Sequence, residues 1–247
     1  MKGATTMELS QRLTAVARYV KPGSKVADIG SDHAFLPIHL IQSGKSASVI
    51  AGEVNRGPLE MARKNVDQTG FSKQIELRLG DGLSVIEDGE VDTVCISGMG
   101  GTLITSILDA GIERLSSVQQ LVLQPNVAEK QARKWLYDHG WELVGETILK
   151  EEGIIYEVFS AVRGNAKAPY QSQQWPLEQW FELGPFLWSE KSPIYKEKWE
   201  REWGNTKRVL SDLKRAKSTE IETKRMELED RLKWIEEVLT CMQTVRP

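Results

Sequence analysis

The segment VADIGSDHAFLP, Val26 to Pro37, concentrates residue types that can hold a small charged ligand. An apolar strand runs into Asp28, and Gly30 follows where a tight turn must bring backbone close to whatever occupies the strand's carboxyl end. Ser31, Asp32 and His33 come next. The G-x-G-x-x-G spacing of dinucleotide sites is absent, because Asp32 stands where a second glycine is expected. A pyrophosphate there would meet a carboxylate instead of bare backbone. The segment therefore argues against a dinucleotide and for a ligand carrying an ammonium group. S-adenosyl-L-methionine, with its amino-acid end and its sulfonium, is such a ligand.

Two more acids fall at matching places. Glu53, with Val54 after it, closes a second strand and can accept bonds from both hydroxyls of a ribose; Asp81 follows a third strand and can address an adenine amino group, with Gly82 leaving room for the ring. Each acid alone also reads as a helix cap or turn residue. Three in register after successive strands are harder to explain that way. After the fourth strand comes ISGMGG, whose Gly98, Met99 and Gly100 can pass close to donor and acceptor alike, and after the fifth comes LQPN, ending in Asn126. Asn126 serves equally as a helix cap or as a substrate contact. The histidines at 33, 39 and 139 and the cysteines at 95 and 241 form no metal-ligand spacing, so no metal is assigned. Neither a phosphate loop nor a G-x-S-x-G nucleophile elbow is present.

The elements that must position these residues alternate up to about Val162. Short β-branched runs are expected as strands at 25–29, 48–53, 75–79, 93–97 and 120–124, followed by two longer runs joined at Glu151, Glu152 and Gly153. Helices are expected at about 7–19, 37–42, 58–68, 103–110 and 128–139, the alternation of a parallel α/β sheet. Residues 1–162 are thus expected as a ligand-binding catalytic domain and 163–247 as a helical one, entered through the linker-like RGNAKAPYQSQQ. In the second part Tyr195, Trp199, Trp203, Leu210 and Leu213 share one helical face, better explained by packing than by base stacking. A further seam, Ile221, Leu228, Leu232, Ile235, Leu239 and Met242, predicts an antiparallel hairpin with the connector KSTE.

Charge divides the same way. Residues 1–162 carry 16 Lys/Arg against 21 Asp/Glu, residues 163–247 carry 16 against 14, and 191–217 carry nine against four. That stretch is either the solvated face of a surface helix or an electrostatic footprint for nucleic acid. Two cysteines and the lack of an apolar leader or a run of roughly 20 apolar residues point to the cytoplasm and away from the membrane.

LSQRLTAVARYVKPGSKVADIGSDHAFLPIHLI, AGEVNRGPLEMARKNV, LRLGDGLSVI, ISGMGGTLI, LVLQPN and LGPFL closely resemble the bacterial tRNA (adenine-22-N1)-methyltransferase family. The resemblance runs from about Met7 to the C-terminal helices, where it lies more in pattern than in identity. It implies a Rossmann-like class I methyltransferase sheet with a C-terminal α-helical, coiled-coil-like domain. It further implies S-adenosyl-L-methionine as cofactor, tRNA as partner, and N1-methylation of adenosine at nucleotide 22. On that reading Asp28, Gly30, Ser31, Asp32, His33, Glu53, Val54, Asp81, Gly82, Gly98, Met99 and Gly100 hold the donor. Asp32 and Asn126 are candidate catalytic residues, although Asp32 can equally hold the donor's ammonium. Arg12, Lys207, Arg208, Lys214 and Arg215 are candidate RNA contacts, and nothing points to an obligate protein partner. Open alternatives are a methyltransferase for another RNA base or a small molecule, and a non-catalytic tRNA-binding protein.

Overall fold

A computed structural model describes residues 9–213 and 219–243. Its centre is a seven-stranded sheet in the order β3-β2-β1-β4-β5-β7-β6. The strands are β1 Ser24–Ile29, β2 Ser46–Glu53, β3 Ile75–Leu79, β4 Thr93–Met99, β5 Gln120–Pro125, β6 Trp141–Glu151 and β7 Ile154–Arg163. The first five are parallel, and β6–β7 is an antiparallel hairpin paired to β5 through β7. Continuous apolar runs such as β5 suit strands buried on both faces, and every residue of β5 is buried.

Helices α1 Gln11–Tyr19, α2 Phe35–Gln42 and α3 Arg56–Thr69 cover one face, over a core that includes Val16, Val26, Leu36, Leu40, Val49, Ala62 and Val122. Helices α4 Gly101–Ala110 and α5 Glu129–Asp138 cover the other, over Ala27, Ile29, Val94, Ile104, Leu121, Leu123 and Trp135. Successive strand residues therefore serve opposite cores, as the two-residue period requires. The carboxyl ends of β1 to β5 are left for a ligand, with the crossover between β1 and β4 as the switch point.

Two short helices, α6 Leu177–Leu183 and α7 Pro185–Glu190, were not legible in the sequence. The chain divides into two compact units, Met1–Phe186 and Leu187–Pro247, a boundary C-terminal to the one expected at residue 162. A buried ionic cluster accounts for the difference. Arg133 on α5 donates from Nε to Glu146 on β6 at 2.6 Å and from Nη2 to Glu157 on β7, and all three side chains are buried. Its Nη1 donates to the Phe181 carbonyl at 3.0 Å, while Glu146 accepts the Phe186 N–H at 2.9 Å. The ions thus bind α6 and the start of α7 to the sheet. Gly184 is required there, because a Cβ would lie 2.5 Å from Arg133 Nη2.

The second unit contains α8 Pro193–Leu213 and α9 Thr219–Gln243. Their contacts run antiparallel: Trp199 meets Trp234 edge to face at 5.2 Å, Arg231 lies 3.5 Å from Glu202, and Lys191 donates to the Cys241 carbonyl. On α8, Tyr195, Trp199 and Leu210 are buried as expected, Trp203 and Leu213 are half-buried, and Thr206 takes an unanticipated inside position. On α9, burial centres on Trp234, Ile235 and Val238, whereas Leu228, Leu232, Leu239 and Met242 are only half-covered. The interlocked indoles turn the seam toward Trp234. Met7, Lys214, Arg215, the start of the connector at 217–218 and the Ile221 side chain lie outside what is described.

Arg133→Met should destabilise the chain by about 3–5 kcal/mol, since it leaves two carboxylates buried without their cation. Adding Glu146→Gln and Glu157→Gln should recover part of the loss. Urea unfolding of the three proteins decides this; a single variant with the wild-type midpoint would show that the cluster contributes nothing.

Candidate functional site

The turn after β1 is fixed by one carbonyl. Gly52 O on β2 accepts N–H bonds from both Gly30 (2.9 Å) and Ser31 (3.0 Å). Gly30 sits at φ +71°, a left-handed conformation that favours glycine, and the end of the Met99 side chain rests against it where a Cβ would be. Asp32 (φ 45°) and Ala34 (φ 60°) are also left-handed, a conformation that costs roughly 1–3 kcal/mol for each non-glycine residue. Asn65 on α3 donates to the His33 carbonyl at 2.9 Å and holds this strained loop. Asp32 is exposed, 3.4 Å from His33 Nε2. His33 in turn packs against Phe35.

Asp28 is buried, and its Oδ2 accepts the Ser31 hydroxyl at 2.7 Å. Burial pushes its pKa up to about 6, against the opposing effects of the Ser31 bond and the Arg12 charge. Glu53, also buried, accepts the Val54 and Asn55 N–H groups on Oε1, and no described residue donates to Oε2. Its carbonyl accepts Gly80 N–H at 3.0 Å, which ties the end of β2 to the loop carrying Asp81. Asp81 is exposed and its carboxylate caps nothing, which removes the cap explanation for that acid.

Two cavities open at these strand ends. One, of about 480 Å³, is lined by Asp28, Gly30, Ser31, Asp32, Gly98 and Met99, together with Arg12, Phe35 and Ser97. The other, of about 540 Å³, is lined by Asp81, Gly82, Leu103 and Ile107. The Gly52 and Glu53 carbonyls span the strand ends between them through the bonds to Gly30, Ser31 and Gly80.

The far wall is a lock between the loops after β4 and β5. Gly98 (φ +77°) bulges out of the β4–β5 pairing, and its N–H donates to Gln124 Oε1 at 2.9 Å. Asn126 donates from Nδ2 to Gly98 O at 2.9 Å and from its backbone to Met99 O at 2.8 Å, while Gly101 N–H donates to Val127 O. The residue that begins α5 as its N-cap is Ala128, so Asn126 is not a cap. Gln124 was not singled out from sequence. Its strand also begins with a glutamine, Gln120, so polarity alone did not mark it, and its full burial shows only in the fold.

Of the candidate RNA contacts, Arg12 lies in the smaller cavity. Lys207 and Arg208 are exposed on α8, with Lys207 Nζ 4.5 Å over the Trp203 ring. Among the described residues no cluster of three His, Cys, Asp or Glu side chains can hold a metal, and no helix is long and apolar enough to cross a membrane.

A parallel sheet closed by an antiparallel hairpin, with acids at the ends of β1, β2 and β3 and a left-handed glycine after β1, defines a Rossmann-like methyltransferase site. The residues fit S-adenosyl-L-methionine: Glu53 has an acceptor atom to spare, and Gly30 and Gly98 line the cavity beside Asp28, where they let a ligand come close to the backbone. The family model for TrmK, tRNA (adenine(22)-N(1))-methyltransferase, matches residues 26–237, and the chain belongs to that family. It is 40% identical over 234 residues to the tRNA (adenine(22)-N(1))-methyltransferase of Bacillus subtilis, covering 94% of this chain and 98% of that one. The crystal structure of the B. subtilis M1A22 tRNA methyltransferase TrmK superposes with a TM-score of 0.88 at 39% identity, covering 94% of this chain and 99% of that one. Streptococcus pneumoniae Sp1610 in complex with S-adenosyl-L-methionine gives 0.82 at 38%, covering 94% and 100%. The resemblance drawn from the motifs is borne out.

Asp28 provides a pH test. Its folded pKa of about 6 exceeds the ordinary 3.8, so the folded state holds an extra proton between those values, and stability falls as pH rises through that window. Asp28→Asn should therefore gain up to roughly 3 kcal/mol over wild type at pH 7 and nothing near pH 3. Donor affinity of the wild type should rise as pH increases through about 6, because an ammonium needs the ionised acid, whereas the variant should bind weakly at every pH. Denaturation and calorimetry across pH 3–8 read both effects; a variant with the wild-type profiles would remove Asp28 from this role.

Proposed function

We infer that this chain transfers the methyl group of S-adenosyl-L-methionine to N1 of adenosine 22 in tRNA, in the cytoplasm. The observation that carries the reading is the near-full-length match to the B. subtilis enzyme. When bound, S-adenosyl-L-methionine supplies an electrophilic methyl group on a sulfonium. The adenine N1 lone pair lies in the ring plane and carries no proton, so the chain needs no general base. Its task is alignment and exclusion of water, and a near-attack geometry supplies much of the acceleration.

Asp28, Glu53 and Asp81 orient the donor by its ammonium, ribose and adenine. The locked loops at Gly98–Gly101 and Asn126–Ala128 form a rigid wall on which the base is held. Asp32, exposed and anionic beside the cavity, can face either the donor's ammonium or the cationic product base. N1 belongs to the Watson–Crick edge, so adenosine 22 must be unpaired or flipped out to reach the methyl group.

Purified chain, an unmodified tRNA transcript and labelled donor, followed by nucleoside mapping, test the assignment. Label should appear as N1-methyladenosine at position 22 and vanish when that nucleotide is guanosine. Label on another base or position would overturn the specific claim and keep the class. Label on no RNA would overturn both.

The basic stretch at residues 191–217 is assigned the phosphate contacts, since residues 1–162 are net acidic. Replacing Lys207, Arg208, Lys214 and Arg215 by Gln should weaken tRNA binding and lower its salt slope by about 0.7–0.9 per lost contact, with donor affinity unchanged. An unaltered slope in the folded variant would make the stretch a solvated face only.

A further inference from the structure

The two amides behind the Gly98 loop differ in what they leave unused. Gln124, wholly buried, is saturated: its Oε1 accepts Arg12 Nη1 at 2.6 Å and Gly98 N–H at 2.9 Å, and its Nε2 donates to the Pro125 carbonyl and to Asn126 Oδ1, each at 3.0 Å. Asn126 is exposed and half used. Its Oδ1 accepts from Gln124 and its Nδ2 donates to Gly98 O, which leaves one lone pair and one N–H without a partner among the described residues. We propose that this remaining acceptor and donor read the target base as adenine, the oxygen taking the N6 amino group and the N–H reaching N7. The inference deepens the reading of the chain as an adenine-N1 methyltransferase and rests on it.

The Asn126 amide has one orientation. A guanidinium and a backbone N–H only donate and a carbonyl only accepts, so Arg12, Gly98 N–H and Pro125 O fix which end of Gln124 faces Asn126. Gln124 Nε2 and Gly98 O in turn fix Oδ1 and Nδ2 of Asn126. Gly98 and Met99 line the 480 Å³ cavity, and Asn126 donates to both of their carbonyls, so the amide stands at the edge of that cavity.

Adenine offers an amide two complementary edges. Pairing through N6 and N1 would cover the nucleophile. Pairing through N6 and N7, the bidentate contact that an asparagine makes with adenine, leaves the N1 lone pair free for the methyl group. Guanine presents two acceptors, O6 and N7, on that edge, so Oδ1 would face O6 with no proton between them. Pyrimidines have no N7 to meet the donor.

The test is single-turnover methylation by the full chain, at saturating S-adenosyl-L-methionine, of tRNA transcripts carrying adenosine or 7-deazaadenosine at nucleotide 22. The analogue keeps N1 and the 6-amino group and replaces N7 by C–H. Wild type should methylate the adenosine transcript roughly 3- to 10-fold faster, the range for one neutral hydrogen bond. Asn126→Ala should lose that preference. Asn126→Asp, which keeps an oxygen toward Gln124 and removes the N–H, should lose it too, and it decides the matter if the alanine variant does not fold. A purine riboside at nucleotide 22, which lacks the 6-amino group, should slow wild type by a larger factor than it slows Asn126→Ala. Variants slower on both transcripts in equal proportion, with the wild-type preference kept, would overturn the base contact and leave Asn126 a strut of the loop. A wild type indifferent to N7 also overturns it. Absence of N1-methyladenosine from the adenosine transcript itself would overturn the methyltransferase reading, and the base contact with it.

Discussion

The Gly52 carbonyl is the point on which the site's geometry depends. By accepting two successive N–H groups from the turn after β1, it folds that turn across the end of β2 and makes the Asp28 and Glu53 strand ends neighbours. The fold-back is possible because Gly30 reaches φ +71° and because Gly52 itself has no side chain to meet Val85. The left-handed Asp32 and Ala34 follow from the same constraint: the chain must climb from the turn into α2 within a few residues, so non-glycine residues are forced where they are disfavoured. Strain is accepted there because Asn65 and the packing of α2 hold the loop in place.

A second lock mirrors the first on the other side of the switch point. Gln124 gathers α1, the bulge at Gly98 and the Asn126 loop onto one amide, so helix, strand end and loop cannot shift independently. Position matters more than proton transfer for a nucleophile that has no proton to lose, and both locks are built from backbone bonds and neutral amides rather than from titrating groups. The buried Arg133 cluster extends this rigidity to α5, which leaves directly from the Asn126 loop. Such a cluster specifies one arrangement of α5, β6, β7 and α6 even where its net contribution to stability is small.

Much of this was legible in the sequence. The seven strands and most helices followed from apolar period, and the acids at 28, 53 and 81 stood out because strand ends are where an open sheet binds ligands. The parts that were not legible share a cause. Gln124 interrupts no pattern, since a strand-end polar residue reads as the onset of a loop until its burial is known. α6 and α7 are seven and six residues long, too short for a helical period, and their Trp180 and Phe181 became core only through the ion cluster formed with distant residues. Arg12 looked like any basic residue on an amphipathic helix, because sequence shows the helix face but not the cavity it borders. The seam of α9 shifted for the same reason: a regular spacing predicts a stripe, and one Trp–Trp contact between α8 and α9 moves it.

Asp28 shows why an apparently costly arrangement persists. A carboxylate driven into a dry strand end destabilises the free chain near neutral pH, and its pKa near 6 expresses that cost. Under the proposed role of Asp28 the cost falls where the donor's ammonium arrives, so binding restores the ionised form and offsets the desolvation that folding imposed. An exposed acid such as Asp81 costs little to keep charged, and it gains correspondingly little from pairing. The three acids thus pass from buried Asp28 through buried but hydrogen-bonded Glu53 to open Asp81, and under the proposed donor reading the acid that folding burdens most is the one that meets the ammonium.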